Sequence, residues 1–167
     1  MKKFLFAIIF LALSCTNNTY DVDVLITGGT IHDGSGKKGF VGNIAVKNDT
    51  IFYVGKKQNF IAKDTIDASN KIISPGFVNM LSWGYNTLMQ DGRSLSDLKQ
   101  GVTLEVFGEG TSPGPRGSIN SNNYVSFGEA MAKVESSGVS TNITSYLGAA
   151  TVRIHEIGYA NRKVTTN

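Results

Sequence analysis

The chain has 167 residues, 41% of them hydrophobic and 17% charged, which is room for one domain or one with a small companion and enough apolar content to exclude wholesale disorder. The formal charge is +3; setting aside Lys2 and Lys3, which belong to the leader described next, 14 of the 16 basic residues remain against 13 acidic. That near balance excludes a nucleic-acid footprint. The single cysteine excludes an internal disulfide and a multi-cysteine zinc site.

Lys2 and Lys3 precede an unbroken apolar run from Phe4 to Leu13 that ends in Ser14-Cys15. A basic start followed by so short a run reads as an export signal, since a spanning helix needs roughly 20 apolar residues. Cys15 directly after the run resembles the lipobox of bacterial lipoproteins, which implies cleavage before Cys15, acylation there and a membrane held through the lipid anchor only. The other reading is an ordinary signal peptide with a chance cysteine. Residues 1–20 are thus a signal peptide and tether, and the expected location is the cell envelope.

Asp21 to Ile26 alternates polar and apolar residues and runs into Gly28-Gly29, which predicts a half-buried strand and a turn. Gly42 to Lys47 and Thr50 to Gly55 flank Asn48-Asp49, two residues that tolerate the positive φ of a tight hairpin. Short strands follow at Thr65 to Asp67 and Lys71 to Ile73, making residues 21–74 a small, mostly antiparallel β module. From Pro75 the rhythm changes. Gly76 to Met80, Val102 to Phe107 and Thr141 to Leu147 are apolar strand candidates. Between them, Ser94 to Gln100 predicts a short helix with Ser94 as N-cap, and Ser126-x-x-Glu129 is a capping box opening a helix that Gly138 closes. The alternation predicts parallel strands covered by helices over residues 75–167. The glycine-rich segment Gly108 to Ser118 lies at the carboxyl end of a strand, where such folds place chemistry, and as a sequence it also fits a plain connector.

Val24-Leu25-Ile26 with Gly28-Gly29-Thr30-Ile31, then Ile66-Asp67-Ala68 through Ser74-Pro75-Gly76-Phe77-Val78-Asn79, then Gly101-Val102-Thr103, together resemble the amino-terminal part of the metal-dependent amidohydrolases. Within them the order of motifs looks most like the N-acyl-D-amino-acid deacylases, also called D-aminoacylases. The resemblance implies an α/β fold, with a small β-sandwich module followed by a (β/α)8 barrel. It also implies one or two divalent metals, usually zinc, that activate water against a linear amide of the N-acyl amino acid type. A barrel alone takes roughly 250 residues, so the chain reads as the front of a longer protein, with a start of the barrel that is incomplete and inactive alone.

The family pattern continues from Pro-Gly-Phe into an acidic residue and then His-x-His, places held here by Asn79, Leu81 and Trp83. Near Gly110 the deacylases usually carry a cysteine ligand, and the nearest coordinating side chain here is Glu109. Glu109 is therefore the candidate metal ligand, against the alternative of a solvated loop glutamate; Glu105 shares a strand face with Phe107 and is a poorer candidate. Trp83, Tyr85, Arg116 and His155 are candidates for lining a substrate pocket, Arg116 by meeting a carboxylate bidentately. His32 reads as a structural or exposed imidazole. A non-catalytic envelope lipoprotein, which binds rather than hydrolyses, is the alternative function that the absent His-x-His favours.

Overall fold

The computed structural model describes residues 19–57, 59–117, 122–163 and 165, so Cys15 and the leader lie outside the described residues. The chain divides into two compact units at Pro75/Gly76.

The first unit is one sheet built on a long central strand. β1 (Tyr20–Ile31), β2 (Phe40–Lys47), β3 (Thr50–Gly55) and β4 (Phe60–Asp67) lie in the order β3-β2-β1-β4, and β5 (Ile72–Ile73) also pairs with β1. β1–β2 and β2–β3 are antiparallel, as the hairpin at Asn48-Asp49 requires, with Asn48 at φ 54°. β4 and β5 instead run parallel to β1, one after the other along the same edge. The sheet is therefore mixed rather than mostly antiparallel. The short strand expected at Thr65 to Asp67 is the end of an eight-residue one. Val22, Leu25 and Ala45 form its buried centre, joined by Tyr53, Phe60 and Ala62.

Gly28-Gly29 is not a turn. β1 continues through it to Ile31, and the register to β2 jumps between Ile26 and Gly29, which marks a β-bulge. Gly28 takes φ 73°, and its N–H donates to the buried Asn43 Oδ1 at 3.1 Å. A Cβ on Gly29 would stand 2.5 Å from Ile73 Cδ1, so the glycine is what lets β5 close on β1.

In the second unit β6 (Phe77–Asn79), β7 (Val102–Phe107) and β8 (Asn142–Ser145) form a parallel sheet in chain order. α1 (Tyr85–Leu88) and α2 (Leu95–Leu98) lie between β6 and β7, α3 (Phe127–Ser136) between β7 and β8, and α4 (Ala149–Ile157) after β8. The capping box is present: Ser126 Oγ accepts from Glu129 N–H at 3.2 Å, and Glu129 Oε2 accepts from Ser126 N–H at 2.8 Å. Leu88, Phe107 and Val134 meet as a buried cluster, so the Phe107 face of β7 is packed by α1 and α3.

Ser94 stands at the N-cap position of α2 but does not cap it. Its backbone is left-handed, at φ 45°, and its hydroxyl is turned to Glu105. β8 is shorter than Thr141 to Leu147: Thr141 turns its hydroxyl to Glu105, Tyr146 N–H still donates to Phe107 O at 2.9 Å, and Tyr146 and Leu147 are exposed.

Candidate functional site

Glu105 is the most buried charged side chain in the second unit, at 2% exposure. It shares the inward face of β7 with Phe107. Its Oε1 accepts from Ser94 Oγ at 2.7 Å and Thr141 Oγ1 at 2.9 Å, and its Oε2 accepts from Ser82 Oγ at 2.8 Å. Three other chain segments are thereby tied to one carboxylate on the helix side of the sheet. This is a structural hub, and the sequence signal for it was a charged residue inside the apolar run Val102 to Phe107.

The carboxyl ends of the strands present a different surface. Ser82 N–H donates to Val106 O at 3.0 Å, which carries the segment after β6 alongside the end of β7. There the indole Cη2 of Trp83 stands 3.6 Å from where a Cβ on Gly110 would lie, and Gly110 has φ 87°. Trp83 and Leu81 are both exposed, and so is Glu109. The positions at which the resembling family holds its histidine and cysteine ligands thus come together here, carrying an indole and a hydrogen atom. Leucine and indole offer no lone pair to a metal. Among the described residues no three His, Cys, Asp or Glu side chains gather as a metal site, around Glu109 or elsewhere. The described residues do not fit a zinc centre.

The glycine-rich segment after β7 is held at several points. Ala150 N–H donates to Gly110 O at 2.8 Å, Ser112 N–H to Thr151 Oγ1 at 2.8 Å, and Ser112 Oγ to Gly114 O at 2.6 Å. Pro113 is fully buried, and Arg116 and Val125 exchange two backbone hydrogen bonds of 2.9 Å. These bonds argue against a plain connector. A cavity of about 550 Å³ opens between this segment and α4, lined by Ser112, Pro115, Arg116, Thr151, Ile154 and His155.

Two of the expected pocket residues, Arg116 and His155, therefore meet in one cavity, and a third supports them: the Arg116 guanidinium lies 5.0 Å from the centroid of the Tyr85 ring. Tyr85 is in turn set edge-on to Phe107, with centroids 6.2 Å apart. Trp83 lies at the strand ends, outside the residues that line this cavity. His155 is on α4. Its side chain is 9% exposed, its ring packs 5.7 Å from Tyr124, and its Nδ1 is enclosed with no hydrogen-bond partner among the described residues. His32 lies in the other unit, exposed just past β1. α4 was hidden from sequence reading by Thr151, Val152, Ile154 and Ile157, whose β-branching favours strands.

No protein-family model matches the chain. It is 31% identical over 86 residues to the D-aminoacylase of Alcaligenes xylosoxydans xylosoxydans, an alignment covering 52% of this chain and 18% of that one. Among solved structures, a D-aminoacylase described for its binuclear metal centre superposes with a TM-score of 0.77 at 25% identity, over 86% of this chain and 33% of that one. The chain is D-aminoacylase-like. A D-aminoacylase variant with copper chloride gives a TM-score of 0.76 at 25% identity over the same shares. The N-acyl-D-glutamate deacylase of Bordetella bronchiseptica, with zinc and a phosphonate inhibitor, shares the fold at 23% identity and a TM-score of 0.73, over 82% of this chain and 31% of that one. The D-aminoacylase-like chain thus spans about one third of these solved relatives. Its β module and parallel βα units correspond to the front of the amidohydrolase plan, a β-sandwich beside a (β/α)8 barrel.

Proposed function

We propose that the protein is a hydrolase of carbon–nitrogen bonds in linear amides of the N-acyl amino acid type, exported and anchored to the cell envelope through Cys15. The supporting observation is the shared scaffold: 25% identity and a TM-score of 0.77 over 86% of the chain against a D-aminoacylase. The described residues contribute the frame, since Glu105 fixes the β6–β7–β8 sheet and the segment after β7 is bonded down onto α4. They do not gather three donors for a metal centre, and Glu109 stands exposed between two glycines of positive φ. The experiment is incubation of the full protein with N-acyl-D-amino acids and measurement of the free amine.

One observation favours a second reading, a non-catalytic relative that binds such amides. Leu81 and Trp83 remove the first pair of donors from the strand ends. Binding without amine release would select this reading.

A further inference from the structure

We propose that the cavity between the segment Ser112 to Gly117 and α4 is a binding site for a small organic carboxylate, with Arg116 as its principal anchor. This goes beyond the hydrolase reading and does not depend on it.

The size is right for a small molecule: about 550 Å³, within the range of ligand pockets. The cavity is assembled by specific bonds rather than left as a gap, because Ser112 N–H is fixed on Thr151 Oγ1 at 2.8 Å and the Arg116–Val125 pair holds the backbone that carries the arginine. Arg116 is free of any carboxylate within ion-pair distance among the described residues. Its guanidinium is instead placed against the Tyr85 ring, which steadies the group and leaves its N–H edge open to a ligand as far as the described residues go. A planar fork of donors held in that way matches a carboxylate with two parallel hydrogen bonds.

The remaining walls agree with this chemistry. Ile154 and Pro115 offer apolar surface for a short carbon skeleton. His155 adds an imidazole whose side chain is 9% exposed and whose Nδ1 has no partner among the described residues, an unmet polar group of the kind that a bound ligand or ordered water explains. Among the described residues the carboxylate paired with that ring is Glu156, 3.7 Å from Nε2. A neutral amide would satisfy the apolar walls but leave the guanidinium fork half used.

The test is equilibrium binding to the full protein, by calorimetry, of N-acetylglycine and of its uncharged isostere N-acetylglycinamide, with acetate alone as a third probe. N-acetylglycine should bind at least about tenfold more tightly than the amide, as expected for a charge-assisted bidentate pair. Arg116→Gln should abolish that preference, and Tyr85→Leu should weaken N-acetylglycine several-fold by releasing the guanidinium. Tight binding of acetate alone would identify the carboxylate as sufficient, whereas weak acetate binding beside tight N-acetylglycine would assign a role to the apolar walls; both support the site. Equal binding of acid and amide, or an acid preference that survives Arg116→Gln, would overturn it. Circular dichroism of Arg116→Gln checks that the fold is intact, and a wild-type ¹⁵N spectrum in which the His155 imidazole does not shift on saturation with N-acetylglycine would also overturn it. Since no turnover is measured, a failed hydrolase reading leaves this result unaffected.

Discussion

Thr141 Oγ1 donates to Glu105 Oε1 across 2.9 Å, joining the residue before β8 to the middle of β7. Ser94 shares that oxygen and Ser82 takes the other. Replacing Glu105 with alanine strands three hydroxyls and opens a cavity behind β7, so Glu105→Ala should cost about 3 kcal/mol, in the range for breaking a buried polar network. Chemical denaturation checks this. Glu105→Gln keeps the shape and one acceptor, and should cost clearly less than alanine.

The hub also shows where sequence reading stops. The strand Val102 to Phe107 and the shared face of Glu105 and Phe107 follow from period-two alternation, and the structure has both. That three separate serines and threonines converge on Glu105 does not follow, because they are 11, 23 and 36 residues away from it in sequence. The same limit hid the parallel pairing of β4 with β1: the pattern of a strand states which face is apolar and not which neighbour it joins. In the candidate site, Arg116 and His155 were each legible as polar residues near strand ends. Their common cavity depends on α4, which β-branched residues disguised.

Arg93 grips Asp91 with two side-chain bonds, Nε to Oδ1 at 2.8 Å and Nη2 to Oδ2 at 2.7 Å, and adds its backbone N–H. These bonds hold the Asp91 carboxyl down from 3.8 to about 2. A depressed carboxyl stabilises the fold above its ordinary value, and that contribution is lost as pH falls from 3.8 through about 2. An NMR titration should place the Asp91 midpoint near the lower value. Arg93→Gln should return it toward the ordinary one, and an unmoved midpoint in that variant would show that the guanidinium is not the cause.

The strand ends lead to a prediction about metal. With an indole against Gly110, an exposed Leu81 and a lone Glu109, Glu109→Gln should leave the zinc content of the full protein unchanged by atomic emission. Loss of zinc in that variant would show that Glu109 completes a centre with donors outside the described residues.

Cys15 governs the envelope proposal. With an acylated Cys15 the expressed precursor should partition into the detergent phase, and Cys15→Ser should move it to the aqueous phase with the folded units unchanged. Equal partitioning of the two forms would remove the lipid anchor.

The most direct test of the hydrolase reading is proton NMR of N-acetyl-D-amino acids incubated with the full protein. Hydrolysis predicts that the N-acetyl methyl signal falls while free acetate and free amino acid rise together in equal amounts. An N-acetyl signal that stays constant, in a preparation that binds the same compounds, would contradict the hydrolase and leave a D-aminoacylase-like scaffold that binds amides without cutting them.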